Sequence, residues 1–362
     1  MASIELNGVR IAGIASAVPE GIRSVEDDAQ LFGLEEMQKT SKTIGVRSRH
    51  VAPPQICTSD LCHLAANRLL DELGWERDSI EGLIFISQSP DYELPATACT
   101  LQARLGLPDR CLAFDVNLGC SGFTYGLWLA SQIVAGRGVK RVLLLVGDIC
   151  TRRLAPRDKA VIPLFGDAGT ATAIEFDENA APMQFELGTD GTGYKAIIIP
   201  ASGFRIPRTA ETKQFEPGPD GIERSPENIY INGADVFNFT IKRIPPLVEA
   251  VMAKANLGRD DYDHFVFHQA NAFMLQHLGK RLKIPNEKFV IAMDTVGNTS
   301  SASIPLAMTM TLREKLIAGP QQLLLAGFGV GLSWAACSVK TGPLVMPELI
   351  VMPDAAPAAA AQ

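Results

Sequence analysis

The chain of 362 residues contains no apolar run near the roughly 20 residues that a membrane-spanning helix needs. Its longest runs, such as Val142 to Val146 and Leu323 to Ala326, are far shorter. A secretory leader is not read at the N-terminus, because Glu5, Asp27 and Asp28 break up its short apolar stretches. There is no basic stripe, and the formal charge of −7 argues against broad nucleic-acid binding. A small local basic patch for an acidic partner stays compatible with that charge. The cysteines Cys57, Cys62, Cys99, Cys111, Cys120, Cys150 and Cys337 form no C-x-x-C pair, so neither a zinc site nor a dithiol redox motif is indicated. Their odd number and irregular spacing fit small buried hydrophobes in a reducing, cytoplasmic compartment. What is present is 47% apolar and 20% charged residues, the composition of a globular protein long enough for two domains.

Two stretches share a pattern. Leu73-Gly74 precedes the apolar run Leu83 to Ile86 and then Ser87-Gln88; Leu257-Gly258 precedes Phe265-Val266-Phe267 and then His268-Gln269. Further on, Gly119-Cys120-Ser121 leads into an apolar helix through Leu129 and Ile133, then a strand over Val142 to Val146. Gly297-Asn298-Thr299 leads into a helix through Ile304, Leu306, Met310 and Ile317, then a strand over Leu323 to Ala326. The order strand, polar loop, helix, strand thus occurs twice, which predicts two α/β halves with buried sheets flanked by helices. The expected halves are 1–178 and 179–346, with the break near Asp177 to Pro182. The duplication equates Cys120 with Asn298 and Ser87 with His268. Phe204 to Asn228, rich in Pro, Gly and charge, reads as a long loop or lid. Residues 347–362, nearly all Ala and Pro from Pro353 on, read as a disordered tail outside the fold.

Three residues stand out chemically. Cys120 lies between Gly119 and Gly122 at a predicted helix start, where free N–H groups and the helix dipole favour a thiolate and should lower its pKa. The bland alternative is a small buried cysteine at a turn. His268 sits at a strand end, unlike His50, His63, His264 and His277, although a lone histidine is more often structural. Asn298 could be a simple loop or capping asparagine, but it occupies the duplicated counterpart of Cys120. Together they supply a nucleophile and two polarising donors. The cluster Gly327-Phe328-Gly329-Val330-Gly331 mimics a dinucleotide fingerprint, yet the strand-like Trp334 to Val339 that follows favours a bent turn offering a backbone N–H to an oxyanion.

These motifs, with Gly45-Val46-Arg47-Ser48-Arg49-His50 and Phe165-Gly166-Asp167-Ala168-Gly169, occur in an order that closely resembles the β-ketoacyl-acyl carrier protein synthase III family of the thiolase superfamily. The resemblance implies a five-layered α/β/α/β/α thiolase fold, a homodimer and decarboxylative Claisen condensation without metal or redox cofactor. It implies that Cys120 takes an acyl group, that the N–H groups of Cys120 and Val330 hold the oxyanion, and that His268 and Asn298 bind the thioester carbonyl of malonyl-acyl carrier protein. Phe328, Gly329 and Val330 would line the substrate tunnel, with Leu94 reaching the neighbouring subunit's tunnel. Gln269, Ala270, Asn271, Lys280 and Arg281 would dock the carrier protein.

The chain also departs from the family. Lys39 and Thr43 stand where acyl-coenzyme A users carry a tryptophan and an arginine, and Lys159 replaces another arginine. Asn238 and Phe273 occupy positions that are often basic. Val330 stands where glycine is usual, and its β-branch is expected to crowd the oxyanion. A relative that passes the acyl group to a different acceptor, or a non-catalytic thiolase-fold partner subunit, are the competing readings. A papain-like protease would share the Cys, His, Asn order, but the duplication and the missing Cys-Gly-Ser-Cys context argue against it.

Overall fold

In the computed structural model, residues 1–218 and 220–355 are described; the expected Ala/Pro tail beyond 355 lies outside them. Among these residues the first sheet has six strands in the spatial order Ile350–Met352, Val9–Pro19, Ala168–Phe176, Arg141–Asp148, Gly82–Ile86, Leu112–Val116. A second has five, in the order Ala2–Leu6, Met183–Thr189, Ser333–Thr341, Gln321–Gly329, His264–Phe267. Val142 to Val146 and Leu323 to Ala326 are fully buried. Both faces of each sheet are covered, which is why these strands read as continuous apolar runs rather than alternating ones. Each such Val or Leu contributes roughly 1.5–3 kcal/mol relative to exposure.

Three apolar layers hold the sheets. Between them lie the helices Gly122–Ala135 and Ser303–Thr311, packed in one cluster with Ile84, Leu144, Leu323 and Leu325. Outside the first sheet, Thr58–Leu73 buries Leu61, Ala65 and Leu69. Outside the second, Gly233–Ala255 and Ala272–Leu282 bury Leu247, Val251, Leu275 and Leu278. This gives the five α/β/α/β/α layers of the thiolase fold.

Gly82–Ile86 and His264–Phe267 each run parallel to the long strand beside them, Arg141–Asp148 and Gln321–Gly329. Ser87 and His268 therefore lie at equivalent strand ends. Two expectations need correction at the termini. Ala2–Leu6, assigned above to the first half, pairs antiparallel with Met183–Thr189 in the second sheet. Ile350–Met352, placed above in a disordered tail, is a strand parallel to Val9–Pro19 of the first sheet. The helix expected to run from Ile304 to Ile317 is interrupted at Leu312, with Arg313–Ala318 as a separate helix. The Phe204 to Asn228 segment is an excursion whose roots, Ile197–Ile198 and Tyr230–Ile231, pair antiparallel.

Candidate active site

Cys120, His268 and Asn298 line one cavity of about 140 Å³, together with Phe328, Gly329 and Val330. Ile197, Ile229, Ile231, Val236 and Met274 form its apolar wall. The roots of the excursion thus become part of the channel.

Cys120 lies just before the helix Gly122–Ala135, on a turn closed by the Gly122 N–H donating to Gly119 O at 2.6 Å. Gly119 is required here: a Cβ would sit 2.3 Å from Gln88 Oε1 and 2.7 Å from Val330 Cγ1. That contact also explains how Val330 is tolerated, since its branch occupies space a side chain at 119 would fill. The backbone N–H groups of Val330 and Cys120 bear on the Cys120 sulfur. The lowered thiol pKa expected from the helix start is not found. Although Cys120 keeps partial exposure to the cavity, dense packing around its sulfur and the nearby Asp148 carboxylate push the thiol up to about 11. Desolvation outweighs the hydrogen bonds from Val330, Ser300 and the Cys120 N–H, which act the other way.

Gly329 approaches closest. A Cβ there would lie 2.6 Å from Cys120 Cβ and 2.8 Å from Sγ, at a φ of +155°. Gly329→Ala should therefore displace the nucleophile, with strain of about 1–3 kcal/mol. We expect Cys120 acylation, followed by intact mass, to slow at least about tenfold and the melting temperature to fall. Unchanged acylation would show that the turn can relax.

His268 is buried and follows the strand His264–Phe267, its N–H donating to Ala326 O at 2.8 Å. Its Nδ1 lies 2.7 Å from Ser303 Oγ, which also accepts the Gln269 N–H at 3.3 Å. A Ser303 hydroxyl that donates to Nδ1 leaves the ring proton on Nε2, and the Ser300 backbone, which favours the protonated ring, is a further partner. Burial lowers the His268 pKa to about 3, so the ring is neutral at physiological pH. Asn298 is fixed at both ends of its amide: Oδ1 accepts the Ser300 N–H at 2.9 Å and Nδ2 donates to Ala270 O at 3.2 Å. Its backbone bridges to Phe165, with Asn298 N–H to Leu164 O at 2.8 Å and Gly166 N–H to Asn298 O at 3.1 Å. The Phe165-Gly166-Asp167 motif therefore holds Asn298, and Phe165 also lines the cavity beside it. Asp167 itself is consumed by Ala52 N–H and the Thr151 hydroxyl, at 2.9 and 2.6 Å.

The remaining sequence candidates separate. Ala270 and Asn271 line the cavity mouth, and Asn271 caps the helix Ala272–Leu282 through the Met274 N–H. Lys280 and Arg281 are exposed in that helix's last turn. Gln269 cannot dock a partner. It is 2% exposed, and its amide is spent on Phe267 O, Val290 O and the Ala292 N–H. Leu94 is 81% exposed and does not line this chain's own cavity. Phe273, in place of a basic residue, stacks on Phe237 at 5.9 Å. Sequence reasoning passed over Ser303, Ser300, Cys150, Gln88 and Asp148. The serine run after Asn298 was the available signal for the first two. Among the described residues no three His, Cys, Asp or Glu side chains are arranged to hold a metal, and no helix is long and apolar enough to cross a membrane.

A thiolase fold with cysteine, histidine and asparagine brought to one cavity between its halves defines a condensing enzyme. Two profiles of 3-oxoacyl-[acyl-carrier-protein] synthase III match, over residues 114–191 and, for its C-terminal part, 252–341. The β-ketoacyl-[acyl-carrier-protein] synthase III of Caldanaerobacter subterraneus is 33% identical over 91% of this chain and 97% of its own. That of Rhodopirellula baltica is 34% identical over 91% and 97%. A crystal structure of 3-oxoacyl-(acyl-carrier protein) synthase from Burkholderia xenovorans superposes with a TM-score of 0.92 at 42% identity, covering 97% of this chain and 99% of that one. The chain belongs to the β-ketoacyl-acyl carrier protein synthase III family.

Proposed function

We propose that this enzyme forms a β-ketoacyl thioester by decarboxylative Claisen condensation between an acyl group on Cys120 and malonyl-acyl carrier protein. The observation that carries this reading is the cavity that Cys120, His268 and Asn298 share with the apolar side chains of Ile197, Ile229, Ile231, Val236 and Met274. Cys120 Sγ attacks the donor thioester carbonyl, its proton leaves with the displaced thiol, and the Cys120 and Val330 N–H groups hold the oxyanion. The malonyl carrier then enters, and its thioester carbonyl accepts from His268 Nε2–H and the Asn298 amide. Loss of carbon dioxide puts the electron pair on the α-carbon as an enolate. That carbon bonds to the acyl carbonyl, the C–S bond to Cys120 breaks, the sulfur leaves as thiolate, and a proton from solvent restores the thiol. The electrons come from the malonyl carboxylate, so this route needs no metal or redox group.

In a homodimer, the exposed Leu94 would reach the partner's acyl tunnel. Condensation and transfer to another acceptor separate on one measurement: carbon dioxide released from malonyl-acyl carrier protein in step with product. Acyl transfer without that release would favour the other acceptor.

The donor is expected to arrive on carrier protein. Where the family's coenzyme A users place an aromatic platform and arginines, Lys39 is paired with Glu35 at 2.8 Å, Lys159 with Glu36 at 2.9 Å, and the Thr43 hydroxyl with Lys39 O at 3.0 Å. A base stacked on an aromatic ring is worth roughly 1–3 kcal/mol, and a paired ammonium does not replace a guanidinium plane. Lys280 and Arg281 remain free for an acidic carrier, whereas Arg243 is held by Asp190 at 3.2 Å and the Trp334 ring. With one acyl group on both carriers, Cys120 acylation should be about ten-fold or more faster from carrier protein and should slow as salt rises. A preference for coenzyme A without salt dependence would overturn this.

A further inference from the structure

Asp148 ends the strand Arg141–Asp148 inside the protein, 1% exposed, and no step of the proposed reaction uses it. Its carboxylate is the meeting point of the two halves. Oδ1 accepts the Gln88 N–H at 2.7 Å and the Ser87 hydroxyl at 3.2 Å, both from the strand end that corresponds to His268. Oδ2 accepts the Ser301 hydroxyl at 2.7 Å and the Ser301 N–H at 3.3 Å, three residues past Asn298 in the other half. Ser300, between Asn298 and Ser301, carries a φ of +51°. Burial pushes the Asp148 carboxyl up, and the donors from both sides act against that rise; losing one arm would leave the anion undercompensated, so the sides resist separation.

We propose that Asp148 is a positioning residue: it ties the Ser87–Gln88 corner of the first half to the Ser300–Ser301 turn of the second and so fixes Asn298 relative to Cys120. Two contacts carry the effect onward. Ser300 donates its backbone N–H to Asn298 Oδ1, so a turn held by Asp148 also holds the amide. Gln88 lies against Gly119, immediately before Cys120, so the other arm braces the nucleophile's turn.

The same carboxylate acts on the nucleophile through space. Burial keeps Cys120 in the thiol form, and the Asp148 charge adds to that effect. The other titratable groups that face this region are Cys150, just past the strand; Cys62, from the helix Thr58–Leu73; Asp167, at the start of the neighbouring strand; and His268 across the cavity. The cysteines are held in the thiol form by burial, and His268 is neutral, which leaves the two aspartates as the sources of negative charge. Asp167 bears on Cys150, and burial pushes its carboxyl up to about 6 against the donors from Ala52 and Thr151.

The inference rests on the roles proposed for Cys120 and Asn298, and two variants separate it from them. Asp148→Asn keeps the volume and removes the charge. Ser301→Ala keeps the charge and removes one arm. The readouts are iodoacetamide alkylation of Cys120 against pH, followed by intact mass, and carbon dioxide release from malonyl-acyl carrier protein. Asp148→Asn should speed alkylation at pH 7 about three- to tenfold, since one pKa unit is a tenfold change in thiolate, while slowing decarboxylation about tenfold or more. Ser301→Ala should slow decarboxylation about threefold or more without speeding alkylation. A purely structural role would lower melting temperature and slow both readouts together. Alkylation profiles of Asp148→Asn and wild type that coincide, or decarboxylation unchanged in Ser301→Ala, would overturn the proposal. Wild-type protein that takes no acyl group on Cys120 would overturn the functional reading instead, whatever the alkylation profiles show.

Discussion

Cys120→Ser is expected to lose the acyl adduct that the wild-type chain forms with a thioester donor, slowing acylation by at least about 10³-fold. Nothing in the cavity is built to activate a serine hydroxyl. His268 offers a donor rather than a base, because its Nδ1 is engaged by Ser303 and burial keeps the ring from holding a second proton above about pH 3. A thiol can do without a general base because its deprotonated fraction, although small, is intrinsically nucleophilic. The thiol pKa near 11 sets the sign of the pH effect. Below that value the thiolate fraction rises tenfold per pH unit, so wild-type acylation should climb through pH 7 to 9 instead of reaching a plateau. Intact-mass kinetics at several pH values check both points. Equal acylation of the serine variant would reject Cys120 as nucleophile. A plateau below pH 8 would show that the helix start and the Val330 N–H overcome burial when substrate is bound.

Local signals in the sequence were read well, and interactions between distant residues were not. Glycines beside a cysteine, a histidine closing an apolar run and an asparagine after a glycine each declare a turn at a strand or helix end, and the duplication places those turns opposite each other. Gln269 shows the limit. The family resemblance implies that it docks the carrier protein, but its amide closes three backbone hydrogen bonds inside the core. No periodicity reports on that, because alternation stops where the strand does. The thiol pKa departs from expectation for a similar reason: a helix start is visible in sequence, whereas the burial that opposes it and the Asp148 charge that adds to it arise only from the folded packing. Ala2–Leu6, expected in the first half, and Ile350–Met352, expected in a disordered tail, are edge strands whose sheet only the three-dimensional path decides. Ser301 and Ser303 lie two residues apart, yet their hydroxyls serve Asp148 and His268 separately.

His268→Ala should divide the two half-reactions. Acylation of Cys120 does not require the imidazole, since the oxyanion is held by backbone N–H groups, so the adduct should form at nearly the wild-type rate. Decarboxylation does require it. As the malonyl carboxylate leaves, charge develops on the thioester oxygen, and a neutral Nε2–H held by the Ser303 contact to Nδ1 meets that charge without reorganisation. Removing such a donor costs about 10²–10³ in rate. Because the ring is buried beside the Phe328 edge at 5.8 Å, its pKa of about 3 places its protonation below the working range. The decarboxylation rate should therefore show no acid limb near pH 6.5, where an exposed histidine would titrate. Ser303→Ala should reproduce the loss in weaker form, about tenfold, because the ring stays but its tautomer and orientation are no longer fixed. Carbon dioxide release and intact-mass acylation, measured on the same samples from pH 5 to 8, decide the matter. Equal loss in both half-reactions would assign His268 to the nucleophile instead, and an acid limb near pH 6.5 would mean that substrate binding opens the site to water.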